Sequence, residues 1–154
     1  MKKYLDINVY EAVQDRLKFI FENFDNIYVS FSGGKDSGLL LNLVLDYKRR
    51  HHIERKIGVF HQDFEAQYDL TTQFVTRMFQ NNIDDIEPYW VCLPMASRCA
   101  VSNYQMYWYP WEEAKKESWV RPMPDFPYII NKDNNPFEFY KDLSLIHISE
   151  PTRL

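Results

Sequence analysis

Residues 31–38 read Phe-Ser-Gly-Gly-Lys-Asp-Ser-Gly (FSGGKDSG), and this stretch dominates the prediction of the fold. It holds three of the 4 glycines in the chain, together with two serines, a lysine and an aspartate. The residues that lead into it, Ile27–Phe31, are mostly β-branched or aromatic, which is typical of a strand. The leucine-rich residues that follow predict a helix that starts near Asp36 and is buried over Leu39–Tyr47. The stretch is therefore predicted to be a loop between a strand and a helix.

Strand and helix patterns alternate on both sides of this loop. Asn8 and Glu11 have the spacing of a helix-capping box, and apolar residues then recur at helical spacing to about residue 24. A second strand, a third helix and a third strand are predicted over Ile57–His61, Tyr68–Phe79 and Ile86–Leu93. Pro88 is expected at the start of the third strand or at a sheet edge. This α-β-α-β-α-β order predicts an α/β fold in which helices flank a parallel sheet.

The last third of the chain loses this periodicity. Residues 104–111 (YQMYWYPW) and 119–128 (WVRPMPDFPY) are rich in aromatics and prolines, and we expect a folded, loop-rich segment. Trp108, Trp111 and Trp119 could stack on a nucleic-acid base or an adenine. Packing in a core or an interface is the commoner role of such side chains.

Composition narrows the function classes. The 154 residues suffice for one domain with a core, and 45% hydrophobic and 26% charged residues are typical of a globular protein. A net charge of −4 argues against a protein that mainly coats nucleic acid. No apolar run is long enough for a membrane span, and no secretion signal is recognisable at the N-terminus. Cys92 and Cys99 match no common zinc or redox spacing, so we expect a cytoplasmic chain with reduced thiols.

Two other features have ordinary structural interpretations. The predicted helix ends in the basic run Lys48–His52, where cations suit the outward-pointing carbonyls of a helix C-terminus. A solvated helix end is therefore favoured over a nucleic-acid site. His61 closes the second strand, and we expect it to be structural rather than catalytic.

The position of the FSGGKDSG loop points to phosphate binding. The loop follows the C-terminal end of a predicted parallel strand, which is the edge where open α/β sheets bind ligands. It also precedes a helix, whose unpaired N–H groups and partial positive charge attract anions. A tight turn made of small residues is the alternative interpretation.

The residue types of the loop fit the same chemistry. Gly33 and Gly34 would let an anion approach the backbone, while Lys35 adds a positive charge and the two serines add hydroxyl donors. Asp36 would suit a helix cap or an Mg²⁺ ion. Neither the Walker A motif nor the dinucleotide-binding fingerprint fits, because both require a different glycine spacing.

The sequence Ser-Gly-Gly-Lys-Asp-Ser after a hydrophobic strand resembles the pyrophosphate loop of the PP-loop nucleotide α-hydrolase superfamily. The loop has a lysine at its fourth position, and this form is similar to the phosphoadenosine phosphosulfate (PAPS) reductase-like family. Three later stretches resemble the same family: VFHQDFEAQYDLTTQFV, YQMYWYPW and WVRPMP. The branch it resembles includes a protein described as a co-activator of prophage gene expression. The resemblance covers about residues 10–142. It implies a Rossmann-like parallel sheet with flanking helices, of the adenine nucleotide α-hydrolase-like type.

The resemblance also implies roles for particular residues. The loop would hold the β,γ-pyrophosphate of ATP, or the phosphate-sulfate end of PAPS, with Mg²⁺ assisting. The residues that would do so are Ser32, Gly33, Gly34, Lys35, Asp36 and Ser37. Asp63 and Glu65 could meet ribose hydroxyls or a metal ion, or could instead form a solvated turn. Arg98 and Arg121 could clamp a further anion, or could be ordinary surface or packing arginines.

The implied activity is adenylation through attack on the α-phosphate of ATP, or sulfonucleotide chemistry. An enzyme of the ATP pyrophosphatase or PAPS reductase-like type is therefore the favoured interpretation. Its catalytic residues are unassigned. No segment matches the Glu-Cys-Gly-Leu-His sequence that carries the catalytic cysteine of PAPS reductases, which counts against thioredoxin-linked reduction. One alternative is a regulatory module that senses a nucleotide and contacts a protein partner. Another is a subunit of a nucleic-acid sulfur-modification system, although the net charge does not support a nucleic-acid partner.

Residues 143–154 (LSLIHISEPTRL) differ in character from the rest of the chain. Leu143–Arg153 resembles the translation of a transposase adapter used in DNA library preparation. We therefore expect residues 1–142 to be the N-terminal part of a truncated PAPS reductase-like PP-loop domain, and residues 143–154 to be a non-native tail that packs on nothing. Because three parallel strands leave an open sheet edge, we expect such a fragment to be poorly stable.

Overall fold

The structure is a computed structural model, and it describes residues 6–135. The expectations for residues 143–154 lie outside the described residues. In chain order the helices and strands are α1 (Val9–Asn23), β1 (Tyr28–Ser30), α2 (Lys35–Arg50), β2 (Ile57–Gln62), α3 (Asp69–Asn81), β3 (Ile86–Val91), β4 (Ser97–Arg98), β5 (Tyr107–Trp108), a 3₁₀ helix (Glu113–Ser118) and β6 (Ile129–Ile130). The alternation predicted for the first three helices and three strands is confirmed.

Four strands form one sheet in the order β1-β2-β3-β6. β1 pairs in parallel with β2, and β3 pairs in parallel with β6. The α/β class, with a parallel sheet flanked by helices, is therefore confirmed. The expectation of three strands is wrong, because β6 adds a fourth at the free side of β3. β4 and β5 form a separate antiparallel ribbon.

Pro88 is the third residue of β3, which lies inside the sheet order. β6 pairs only with Trp90 and Val91, so β3 is locally an edge at Pro88 on that side. The missing N–H of the proline interrupts no pairing with β6. The expected edge position is wrong for the strand as a whole, which lies between β2 and β6, and Pro88 is accommodated because β6 does not reach it.

The chain forms two compact units. The first contains the residues up to Phe60 together with Val75–Pro88. The second contains His61–Phe74 and the residues from Tyr89 to the end of the described chain. The core of each unit consists of large apolar side chains. In the first unit they include Phe31, Leu41, Leu45, Ile57 and Phe79, and in the second Trp90, Leu93, Met95, Trp111 and Ile129.

The N-terminus of α1 is the predicted capping box. The Asn8 side chain accepts a hydrogen bond from the N–H of Glu11 at 2.9 Å, and the Glu11 carboxylate accepts one from the N–H of Asn8 at 3.0 Å. Two of the amide groups that a helix start leaves unpaired are thereby satisfied.

α2 departs from its prediction in two ways. It is not buried all round, because Leu39 and Leu40 are 62% and 47% exposed. Its basic end is not simply solvated either. Lys48 is buried and its Nζ lies 2.7 Å from Asp85, a carboxylate that also binds Arg49. The end of α2 is therefore a packed ion-pair cluster, which forms because the turn before β3 brings a carboxylate to it.

Within residues 6–135, no helix combines the length and the apolar composition that crossing a membrane requires.

Candidate functional site

The FSGGKDSG loop is anchored by its first residue, in the first unit. The N–H of Phe31 donates to the carbonyl of Phe60 at 2.7 Å, which extends the β1–β2 pairing by one residue. The Phe31 ring is buried and stacks on Phe79 with ring centroids 6.3 Å apart. The loop therefore starts from a fixed point at the C-terminal end of β1.

The two glycines of the loop have different conformational roles. Gly33 has a φ of 81°, in the left-handed region that side-chain-bearing residues adopt at an energetic cost. Gly34 is the N-cap of α2 in an extended conformation, and its carbonyl accepts the first helical hydrogen bond from the N–H of Gly38 at 2.9 Å. A Cβ added to Gly34 would lie 3.4 Å from the hydroxyl of Ser32. The turn thus needs a glycine at position 33 for its backbone angle.

The two serines hold the loop closed on itself. Ser37 Oγ donates to the carbonyl of Gly34 at 3.1 Å, and the two serine Oγ atoms lie 3.0 Å apart. Because each hydroxyl has one hydrogen, Ser32 is then the donor between the two serines. The Ser32 Oγ atom in turn accepts the N–H of Gly34 at 3.3 Å. This chain of hydrogen bonds fixes the shape of the loop.

The N-terminus of α2 is open to an anion. No side chain caps it, and the N–H groups of Lys35, Asp36 and Ser37 donate to no protein acceptor in the described part of the chain. A helix start leaves such groups unpaired and carries a partial positive charge. The side chains of Lys35 and Asp36 are exposed, and neither forms an ion pair with another described residue. This geometry is well suited to bind a phosphate group.

Asp63 belongs to the second unit and follows β2. Its side chain is fully buried. One carboxylate oxygen accepts the N–H of Glu65 at 2.8 Å and pairs with the Arg121 guanidinium. The other oxygen accepts the indole N–H of Trp90 at 2.7 Å. The backbone N–H of Asp63 donates to the carbonyl of Val91 at 2.9 Å. Asp63 is therefore a buried partner of Arg121 whose hydrogen bonds join three parts of the unit: the turn after β2, the strand β3 and the segment that carries Arg121.

Glu65 holds the same unit together through backbone groups. It is buried, although its φ of 64° lies in the left-handed region. One carboxylate oxygen accepts the N–H of Trp111 at 3.1 Å, and the other accepts the N–H of Val120 at 2.9 Å. The indole N–H of Trp111 donates to the backbone carbonyl of Asp63 at 3.0 Å. The alternative of a solvated turn at Asp63 and Glu65 is therefore wrong. Their roles towards ribose or a metal stay predictions, and each carboxylate oxygen already has a protein donor.

Arg121 and Arg98 lie in different surroundings. The Arg121 guanidinium lies 5.0 Å from the centre of the Trp111 ring while pairing with Asp63, and it borders an open cavity of about 520 Å³. Arg98 is exposed on β4 and borders another cavity, with Cys99 among its lining residues. The structure therefore brings Asp63, Glu65 and Arg121 together but does not place the two arginines in one cavity. Both remain candidates for the predicted anion clamp.

Three side chains whose roles were considered in the sequence analysis are packed in the second unit. Burial raises the pKa of the Cys92 thiol far above its usual range, and the Asp63 carboxylate adds to this shift. Cys92 is therefore a neutral thiol, which disfavours nucleophilic chemistry. His61 is buried with its ring edge-on to Trp90, in agreement with a structural histidine. Trp111 is buried, so its packing interpretation is confirmed.

No group of three or more His, Cys, Asp or Glu side chains within residues 6–135 could hold a metal ion. The sequence interpretation did not foresee that the amide groups of Trp111 and Val120 bind Glu65. No local pattern signals such contacts, because they span 46 and 55 residues of the chain.

One similar protein is Uncharacterized protein YbdN of Escherichia coli (strain K12), which is 38% identical to this chain over 121 residues. The alignment covers 78% of this chain and 29% of the relative, so the chain spans less than a third of the length of the protein it matches. No family model matches the chain, and no solved structure matches it.

Proposed function

We propose that the chain binds the phosphate end of an adenine nucleotide, ATP or PAPS, through the loop from Ser32 to Ser37. The open N-terminus of α2 carries this proposal. Three N–H groups without protein acceptors follow a glycine with a φ of 81°, and an exposed lysine lies beside them. Converging amide donors and a nearby cation are the usual elements of a phosphate site.

An ordinary tight turn explains less of this loop. A turn would need the left-handed Gly33 and the serine hydrogen bonds, but it would not need an uncapped helix start or an unpaired lysine. Both features are explained if a bound anion accepts hydrogen bonds from the free N–H groups and pairs with the lysine. The observations therefore support an anion site over a turn of small residues.

The choice of an adenine nucleotide rests on the resemblance of the Ser-Gly-Gly-Lys-Asp-Ser sequence to the PP-loop superfamily. Under the same proposal, the parallel sheet is Rossmann-like and the loop lies at its ligand-binding edge. Asp36, exposed in the first turn of α2, is the carboxylate of the loop that would meet a Mg²⁺ ion bound to the phosphates. Magnesium would supply charge neutralisation at the phosphate oxygens.

Between the two chemistries, the burial of Cys92 favours ATP. In the ATP reaction a substrate attacks the α-phosphate, an adenylate forms, and pyrophosphate leaves. The amide groups and Lys35 would stabilise the charge on the departing pyrophosphate. Sulfonucleotide reduction by a protein thiol needs a thiolate, and the buried Cys92 is held protonated. A regulatory module would bind ATP at the same loop without releasing pyrophosphate.

Titration calorimetry on matched lysine variants tests the proposal. We expect Lys35→Ala to weaken ATP binding about 10- to 100-fold, because a charge-assisted hydrogen bond contributes about 1.5–3 kcal/mol. Lys18→Ala, at an exposed lysine of α1, should leave the affinity unchanged. Inorganic pyrophosphate should compete with ATP, and a parallel titration with PAPS ranks the two ligands.

The fold of each variant is checked by far-UV circular dichroism. If Lys35→Ala and the native chain bind ATP with equal affinity, the loop is not the nucleotide site. The same conclusion follows if pyrophosphate fails to compete with ATP. Release of pyrophosphate on incubation with candidate acceptors would separate an enzyme from a regulatory module.

A further inference from the structure

The second unit contains an open cavity where two of its strands end. Cys92 directly follows β3 and Asn131 directly follows β6, and both residues line the cavity of about 520 Å³ that Arg121 borders. The N–H of Cys92 donates to the carbonyl of Ile130 at 2.7 Å, so the two parallel strands end side by side. Open α/β sheets bind ligands at this edge, and small-molecule sites usually have volumes of about 300–1,000 Å³. The edge cavity, as it is called below, therefore has the position and the size of a ligand site.

Two tryptophan rings give the edge cavity an apolar lining. Trp111 and Trp119 both line it, and their rings meet edge to face with centroids 5.1 Å apart. The indole N–H of Trp111 donates to the carbonyl of Asp63 at 3.0 Å, and that of Trp119 donates to the carbonyl of Glu112 at 3.2 Å. Because both indole donors are used within the protein, the rings offer a ligand apolar surface and no hydrogen bond. This lining suits an apolar group better than a strongly hydrated one.

Arg121 keeps part of its guanidinium free. Its Nη2 atom donates to Asp63, and the side chain is 13% exposed. Its Nε atom is buried without a hydrogen-bond partner, whereas Nη1 is not buried and donates to no described acceptor. The guanidinium lies 5.0 Å from the centre of the Trp111 ring, which helps to hold it in place. Nη1 is therefore the donor that Arg121 can offer to a ligand in the cavity.

A second cation lines the same cavity. Lys132 follows Asn131 and is exposed, and its side chain forms no ion pair or hydrogen bond with another described residue. The turn that carries it is well ordered by hydrogen bonds. The side-chain oxygen of Asn131 accepts the N–H groups of Asp133 and Asn134 at 2.9 and 3.2 Å. The backbone at Lys132 is thus held in place while its ammonium group stays available.

The charges around the edge cavity balance, but they are not all paired. Lys116 and Glu113 line the cavity as an ion pair at 3.2 Å, and the charge of Arg121 is balanced by its buried carboxylate partner. Lys132 and Asp133 remain, and Asp133 also forms no ion pair with another described residue. One unpaired charge of each sign complements a ligand that carries both signs. A phosphate with two negative charges would meet no excess of positive charge.

We propose that the edge cavity binds a free α-amino acid with an apolar side chain. Its carboxylate accepts a hydrogen bond from Nη1 of Arg121 and pairs with Lys132, and its ammonium group pairs with Asp133. Its side chain packs against the rings of Trp111 and Trp119. This site is separate from the proposal for the FSGGKDSG loop and does not depend on a nucleotide.

Saturation-transfer difference NMR with L-phenylalanine as the probe tests this proposal, and millimolar affinity is expected for a ligand of this size. Three related compounds each lack one of its groups. Hydrocinnamate lacks the ammonium group and should bind about 2- to 5-fold more weakly, the value of one exposed ion pair. Phenethylamine lacks the carboxylate and should bind at least about 10-fold more weakly, because it loses both cationic partners. Glycine lacks the apolar side chain and should bind at least about 10-fold more weakly than the probe.

Two variants of exposed residues should change these affinities in opposite patterns. Lys132→Ala should weaken L-phenylalanine and hydrocinnamate about 2- to 5-fold and leave phenethylamine unchanged. Asp133→Asn should weaken L-phenylalanine by a similar factor but should not weaken hydrocinnamate. Arg121 is left in place, because its removal would strand the buried carboxylate of Asp63 without its cation.

Matched controls come from the same unit. Lys115→Ala and Asp125→Asn change exposed residues outside the lining of the edge cavity, and both should leave all four affinities unchanged. Lys35→Ala, measured without ATP, should also bind L-phenylalanine like the native chain. A failure of this proposal is therefore distinguishable from a failure of the nucleotide proposal.

The proposal is wrong if L-phenylalanine shows no saturable binding up to about 20 mM, well above the affinity expected for its size. Equal binding of the three phenyl compounds would reduce the cavity to an apolar patch. Tighter binding of hydrocinnamate than of L-phenylalanine would make it a site for simple carboxylic acids. Equal effects of Lys132→Ala and Lys115→Ala would also refute the assignment.

Discussion

Replacing Glu65 by alanine should destabilise the second unit by about 2–4 kcal/mol. Its two carboxylate oxygens accept the N–H groups of Trp111 and Val120 at 3.1 and 2.9 Å. These two bonds tie the segment that carries the 3₁₀ helix to the turn after β2. Alanine removes both acceptors and offers no replacement.

The magnitude follows from the different exposure of the two donors. Trp111 is 3% exposed, so its N–H cannot regain water, and a buried unsatisfied donor costs about 1–3 kcal/mol. Val120 is 69% exposed, so its N–H is rehydrated and only the net value of a hydrogen bond, about 0.5–1.5 kcal/mol, is lost. Alanine and glutamate suffer the same strain at the φ of 64°. Glu65→Gly should therefore be about 1 kcal/mol less destabilising than Glu65→Ala.

Urea unfolding followed by tryptophan fluorescence is the appropriate assay. All 4 tryptophans of the chain lie in the second unit, so the signal reports on this unit alone. The free energy of unfolding is compared at a constant m-value. Glu65→Gln keeps one acceptor oxygen and should lose about half as much as Glu65→Ala.

Glu113→Ala is the matched control, because Glu113 is an exposed glutamate that forms only a surface ion pair with Lys116 at 3.2 Å. It should change stability by less than about 0.5 kcal/mol. A loss of under about 0.5 kcal/mol in Glu65→Ala, or a loss no larger than that of Glu113→Ala, would refute the reasoning.

Two further predictions concern titratable groups. The hydrogen bond from Lys48, with a smaller contribution from Arg49, holds the pKa of Asp85 below its usual value. A lowered folded-state pKa adds stability above the unfolded pKa of about 3.9 and loses it as pH falls through the folded value. Asp85→Asn should therefore lower the Tm at pH 7, with a deficit that shrinks towards pH 2 in far-UV circular dichroism melts. A constant deficit would contradict this. Burial raises the pKa of Cys92, so at pH 8 a thiol reagent should modify Cys99 first and reach Cys92 only in unfolding urea. Rapid reaction of both thiols, or of a Cys99→Ser variant, would contradict the burial of Cys92.

The sequence predicted the elements whose signals are local. The capping box of α1 depends on residues three apart, and the helix and strand periods depend on neighbours within a few residues. The FSGGKDSG loop was located in the same way, because its glycines interrupt two periodic segments. The left-handed Gly33 and the uncapped start of α2 agree with that local interpretation.

The strand β6 could not be predicted from its own residues. Ile129–Ile130 is two residues long and follows a proline-rich stretch, so it has no period to detect. It is a strand because it pairs in parallel with Trp90 and Val91 of β3. The burial of α2 was overestimated for a related reason. Its apolar residues surround the helix, and only the neighbouring elements decide which of them are covered.

The positions of Asp63 and Glu65 after a strand were visible in the sequence, but their environment was not. A carboxylate after a strand can be solvated or can be buried with a cation and several N–H donors. Here the donors to Asp63 come from as far as Arg121, which is 58 residues away, and Glu65 is satisfied by two backbone groups of the same distant segment. Short-range patterns fix which residues form helices, strands and the glycine loop, because backbone hydrogen bonding and side-chain period act within a few residues. Burial and ion pairing depend on contacts between distant segments, and these exist only once the chain has folded.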